Sequence, residues 1–139
     1  MRDPGTYLLG LRLAEQATCQ VGRLGQVTFQ AGWYVYVGSA LGGLGPRLRR
    51  HARSDKPQHW HIDALREVAS LLKIAVRVGR ERLECSVAAH VAALPGASQP
   101  IARFGASDCR CQTHLFHFAD EPNVQLDATW SMTTVERLA

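Results

Sequence analysis

The run Thr6-Tyr-Leu-Leu-Gly-Leu-Arg-Leu13 is short and dense in apolar and aromatic residues, which suits a strand better than a helix. Thr18–Val21 and Gln26–Gln30 are extended in character on either side of Gly22-Arg-Leu-Gly25, and Trp33-Tyr-Val-Tyr-Val37 is the strongest strand signal in the chain. Together these four segments predict an antiparallel meander. The glycine-rich stretch Gly38–Gly45 leads to Pro46, whose missing N–H costs a first helical turn nothing, so a helix is expected from about Pro46 to Arg53. Ser54-Asp-Lys-Pro57 breaks it, and a second helix is expected from His59 to about Ala69. Leu72, Ile74, Val76 and Val78 then alternate with Lys73, Ala75, Arg77 and Gly79, the period of a strand with one buried face. From Glu81 to Leu94 the period is helical, with Leu83, Val87, Val91 and Leu94 on one stripe and Pro95-Gly96 as the stop. Phe104–His114 reads as a loop and His114–Phe118 as a late strand. The predicted fold is a small α+β domain over residues 1–119, an antiparallel sheet meander flanked by helices. Residues 120–139 lack periodicity and are expected to form a partly disordered tail.

A chain of 139 residues that is 46% apolar has room for one domain with one core. Met1–Gly5 has no apolar targeting region, and no window approaches the roughly 18 apolar residues of a membrane span, so a soluble, cytoplasmic chain without membrane contact is expected. Four cysteines, unevenly spread, do not make a secreted disulfide framework. Reduced thiols follow, with Cys19 and Cys85 expected as buried apolar residues.

Charge changes the picture further. Gln16–Ser54 contains no Asp or Glu, yet carries Arg23, Arg47, Arg49, Arg50 and Arg53, within a net charge of +4. A one-sided basic surface built on arginine suits phosphate, because a guanidinium fork can hold two phosphate oxygens. The ordinary alternative is a solvated helix face.

Gly5-Thr6-Tyr7 at the head of the first strand and Tyr36-Val37-Gly38 at the end of the Trp33 strand resemble the two halves of the GIY-YIG nuclease signature. Arg47-Leu48 resembles the helix arginine of that superfamily, His51 stands where members carry Tyr or His, and Glu84 looks like its metal-binding glutamate. Trp60-His-Ile-Asp63 and the segment from Phe104 to Leu115 resemble an uncharacterised microbial branch, whose members occur alone or fused to a helix-hairpin-helix DNA glycosylase. Two positions depart from the pattern: Thr6 replaces Ile or Val, and Ser39 stands where excision-repair members carry a phosphate-binding Lys. Singly, each residue has an ordinary structural reading; five in order on the expected elements point to a shared site.

The resemblance implies a metal-dependent DNA endonuclease, with Tyr7, Tyr36, Arg47, His51 and Glu84 as catalytic residues. Gly38, Ser39, Arg49, Arg50 and Arg53 are expected to contact DNA. Phosphodiester hydrolysis needs a neutralised transition state and an activated water, and Glu84 can hold Mg²⁺ or Mn²⁺, which take few protein carboxylates. Arg47 and His51, four apart, share one helix face. A tyrosine base requires its pKa to be depressed by Arg47 and the metal, and His51 is the competing base. Cys109, Cys111 and His114, with His61 or His59, offer ligands for a structural zinc, although the spacing is not that of a zinc finger. The other reading is a polar loop from Asp108 to His114 joined by hydrogen bonds to His61 or Asp63. Leu41–Gly45 lacks the Lys-Ser/Thr ending of a phosphate-binding loop, which excludes that class of nucleotide hydrolase. The competing function is a non-catalytic nucleic-acid-binding module acting with a repair partner. Oligomeric state is not encoded in these patterns.

Overall fold

The computed structural model describes residues 3–53, 56–57, 60–106 and 111–138. Strands β1 (Gly5–Leu13), β2 (Ala17–Val21), β3 (Gly25–Phe29) and β4 (Gly32–Ala40) precede helices α1 (Leu44–Ala52) and α2 (His61–Val68). Then follow β5 (Ser70–Val78), α3 (Glu84–Ala92), β6 (Leu115–Phe118), β7 (Ser131–Thr133) and α4 (Val135–Leu138). The class is α+β, with a five-stranded antiparallel sheet in the order β6-β4-β1-β5-β7.

β1 is central because both of its faces are covered. On one face Tyr7, Leu9, Leu11 and Leu13 join Tyr34, Tyr36, Ile74 and Val76 in a core closed by Leu44 and Leu48 of α1 and Ile62 and Leu65 of α2. On the other, Leu8 packs with Val35, Val37 and Ala75 beneath Ala88 and Val91 of α3. The first four strands do not run on as a meander within one sheet. β2 and β3 pair only with each other, and β4 returns to pair with β1 from Gly5↔Ala40 to Leu13↔Gly32. The hairpin cannot pair with β1, because β4 and β5 occupy both of its edges; it packs on α2 instead.

The alternation expected for β5 slips once. The register with β1 shifts between Gly10 and Leu11, so that Leu71, Ile74 and Val76 face the larger core while Leu72 is half exposed. A bulge accounts for this, since one extra residue reverses the facing of the side chains beyond it. The segment past Asp120 is part of the fold. Val124, Leu126 and Trp130 pack on the second core, and β7 pairs with Ile74–Val76 of β5. Its lack of periodicity reflects a mostly irregular path, neither helix nor strand before β7, packed on that core. α2 begins at His61; His59, its expected start, lies outside the described residues, as do Ser54, Asp55, Asp108 and Cys109. Among the described residues, no helix is long and apolar enough to cross a membrane.

Candidate active site

The register of β1 against β4 sets Tyr7 directly opposite Gly38. A Cβ at position 38 would lie 2.4 Å from the Tyr7 hydroxyl and from its Cζ, so only glycine lets the phenol ring cross that strand. Tyr36, two residues earlier on β4, is on the same face, with its ring centroid 6.5 Å from that of Tyr7. Gly105, at φ +67°, closes against Tyr36; a Cβ there would come within 2.8 Å of that ring. Behind Tyr7, the His51 imidazole is fully buried, and its Nε2 lies 2.7 Å from the Tyr7 hydroxyl. His51 Nδ1 has no hydrogen-bond partner among the described residues. An orphaned N–H costs more than an orphaned lone pair, so the favoured tautomer carries its proton on Nε2 and donates it to the Tyr7 oxygen. That leaves the Tyr7 proton for the cleft.

α1 is held in place at its C-terminal end by a residue that pattern reading passed over. Arg66 of α2 donates to the His51 carbonyl (2.9 Å), the Ala52 carbonyl (3.0 Å) and its own helix's Ala69 carbonyl (3.0 Å). A guanidinium is suited to this, because the last carbonyls of a helix lack internal donors and carry its negative pole. Arg47 Nη1 donates to the Ser39 carbonyl at 2.9 Å, and its guanidinium lies 4.2 Å from the centre of the Trp60 ring. Arg50 approaches the same indole at 5.0 Å. The structure puts Arg50 to a use other than the expected exposed phosphate contact. Its Nη2 bonds Asp63 Oδ2 at 2.8 Å and the Pro57 carbonyl at 2.7 Å. Asp63 is completely buried, accepts the Trp60 N–H at 2.9 Å and lies 3.9 Å from the ammonium of buried Lys56. The Asp63 carboxylate thus starts α2 and fastens it to α1. Arg49 and Arg53 remain exposed.

Tyr7, Tyr36, Arg47, Trp60, His61 and Glu84 line one open cleft of about 360 Å³, floored by Gly38 and Ser39. His51 does not reach it. Burial pushes the Tyr7 phenol up to about 12; Arg47 opposes the shift and Glu84 adds to it. Tyr36 is driven well above 10, again chiefly by burial. Arg47 alone therefore does not depress either tyrosine, because desolvation of the phenolate outweighs one neighbouring cation. Burial also lowers His51 to about 3, opposed by Asp63 and assisted by Lys56, Arg47 and Arg50. The imidazole is neutral throughout the ordinary pH range.

Glu84 opens α3, and its partly exposed carboxylate faces both the cleft and His114, whose Nδ1 is 3.0 Å from Oε1. The expected second site is rearranged. His61 is not in the group that Cys111 and His114 form among the described residues: its Nδ1 accepts the Gly105 N–H at 3.1 Å, joining the loop before β6 to α2. Cys111 and His114 are joined instead by Cys85, which is exposed rather than buried in the core. Nothing in the spacing of Cys85 signalled this; only its place beside Glu84 could have. Cys109 lies outside the described residues.

No curated protein and no solved structure matches the chain. Residues 6–137 match a family model, from the head of β1 to α4 and so including the strand beyond Asp120. By that match over nearly its whole length, the chain belongs to the family described as domain of unknown function DUF123.

Proposed function

We propose that this chain is a divalent-metal-dependent phosphodiesterase cutting DNA, an endonuclease of the GIY-YIG type. One observation carries the reading: two phenols, a guanidinium and a carboxylate, from β1, β4, α1 and α3, converge on one open cleft. Arg49 of α1 and Arg53, the residue just past its C-terminal end, are both exposed.

A hard cation fits the donor set. Glu84 offers a carboxylate that is 28% exposed, and a cleft open to water supplies the remaining oxygen ligands that Mg²⁺ or Mn²⁺ requires. Once bound there, such an ion would polarise the phosphoryl oxygen and favour the ionised forms of water and phenol beside it. The chain's own groups do the rest. Arg47 holds the phosphate oxygens and meets the charge that develops on them. Tyr7, in its phenolate form, takes the proton of the attacking water as the new O–P bond forms and the bond to the leaving oxygen breaks. His51 Nε2–H holds the Tyr7 oxygen throughout and, being neutral and out of the cleft, assists rather than acts as the base. Tyr36, beside Tyr7, donates a hydrogen bond to the phosphate from a hydroxyl that stays protonated. The exposed arginines bind the flanking backbone without reading bases.

The test is incubation of the protein and Glu84→Gln with labelled duplex, branched and flapped DNA, with and without Mg²⁺ or Mn²⁺. Cleavage only with metal, lost in the variant while DNA binding persists, is the expected result. DNA binding without cleavage of any substrate by the wild-type protein would replace the enzyme with a binding module.

A further inference from the structure

We infer that Cys85, Cys111 and His114 form a site for a thiophilic divalent ion of the zinc kind, separate from any hard cation at Glu84. Cys85 comes from the first turn of α3, Cys111 from the loop before β6, and His114 immediately precedes that strand. One ligand atom from each lies within 4.8 Å of the other two. Around a tetrahedral zinc, bond lengths of about 2.3 Å to sulfur and 2.0–2.1 Å to nitrogen put ligand atoms roughly 3.5–3.8 Å apart. The three groups therefore need to close by only about 1 Å.

Two of them stand on anchored backbone. The Phe104 carbonyl accepts the His114 N–H at 2.9 Å, and Val37 N–H donates to the His114 carbonyl at 3.0 Å, which fixes the imidazole against β4. The Cys111 carbonyl accepts from Arg103 at 2.9 Å. His114 is buried, Cys111 half buried and Cys85 exposed, so the site has a closed back and an open side through which an ion can enter. Two thiolates and an imidazole select zinc over magnesium by softness, where the Glu84 carboxylate selects the reverse.

The two sites meet at one contact, His114 Nδ1 to Glu84 Oε1 at 3.0 Å. An ion held by Cys85, Cys111 and His114 would tie α3 to the strand-leading loop and so fix the direction in which Glu84 presents its carboxylate, as outer-shell partners orient metal ligands. Metal binding here does not depend on the nuclease reading.

The experiment uses the full chain, purified reduced from zinc-supplemented growth, and measures metal by mass spectrometry and by Co²⁺ replacement. Roughly one zinc per chain is expected to survive gel filtration, with Co²⁺ giving thiolate charge-transfer absorption and tetrahedral visible bands. Cys85→Ser, a change at an exposed position, should weaken zinc binding at least tenfold, and Cys111→Ser likewise, while Cys19→Ser keeps it. Circular dichroism confirms that the variants fold; if Cys111→Ser does not, Cys85→Ser decides. A wild-type protein without retained zinc or cobalt charge transfer overturns the site. So does a Cys85→Ser variant that binds zinc as tightly as wild type, or a Cys85–Cys111 disulfide in place of metal uptake.

Discussion

Lowering the pH should destabilise this protein through His51, and the size of the loss follows from its surroundings. An imidazole with an ordinary value of 6.5 in the unfolded chain and about 3 in the folded protein binds a proton only on unfolding between those values. Its contribution to stability is complete above pH 6.5 and is lost as the pH falls toward 3. At pH 5 the unfolded state is favoured by about 2 kcal/mol relative to pH 7.5. His51 has no exposed surface, so solvent does not screen the effect away. Carboxylates, Asp63 included, titrate in the same region and contribute their own change. The difference between wild type and His51→Gln isolates the imidazole, because the amide keeps a polar atom near the Tyr7 hydroxyl and does not titrate. Urea unfolding at pH 7.5, 6.5, 5.5 and 5.0, with the denaturant slope checked for constancy, gives the two curves. Wild type should lose about 2 kcal/mol more than His51→Gln over that span. Parallel curves would show that the imidazole is hydrated or already protonated in the folded state, and that the buried Tyr7–His51 pair is misassigned.

The same burial predicts that wild-type single-turnover cleavage shows no inflection near pH 6.5 and keeps rising toward alkaline pH. Tyr7→Phe, which keeps the ring over Gly38, should lower the rate by about 10²–10⁴; a rate within threefold of wild type would remove Tyr7 as the base. Arg49 and Arg53 changed together to Ala should flatten the dependence of log K on log salt by roughly 0.9 per lost phosphate contact on duplex DNA, and an unchanged slope would mean that this face does not meet nucleic acid. Arg50→Ala should act on stability instead. Removing the guanidinium from the buried Asp63 carboxylate should cost about 3 kcal/mol in urea unfolding, and a loss below about 0.5 kcal/mol would show that the pair is solvated.

The strands and helices that carry the candidate site were readable because their signals are local. Tyr7, Tyr36 and Gly38 lie on two strands whose residue types announce them, and Arg47 and His51 are related by one helical turn. What escaped was long-range. β1 and β4 are neighbours, with β2 and β3 folded out of the sheet between them in sequence, and hairpin-by-hairpin reading has no means of skipping a pair. The bulge at Leu72 and the pairing of β7 depend on what lies across the sheet, which period-two counting does not register. The arginines show the same limit: composition groups Arg49, Arg50 and Arg53, but only burial of Asp63 separates Arg50 from the others. A tyrosine base needs Arg47 and a metal together to lower its pKa, and what the sequence does not register is that the fold withdraws water from the Tyr7 ring and so raises it.

The central place of β1 has a consequence for motion. Its amides are bonded on both sides, to β4 and β5, so they exchange with solvent only when the domain opens as a whole, and Tyr7 moves no more freely than the fold itself. Glu84 stands in the first turn of a nine-residue helix, where backbone N–H groups have no partner in the preceding turn and fraying costs little. The cleft thus joins a wall at the middle of the sheet, bonded along both edges, to one at a helix N-terminus, where local opening is expected first. On the proposed nuclease reading, accommodation of strands of differing shape falls to the Glu84 wall, and whatever clamps α3 trades that latitude for accuracy.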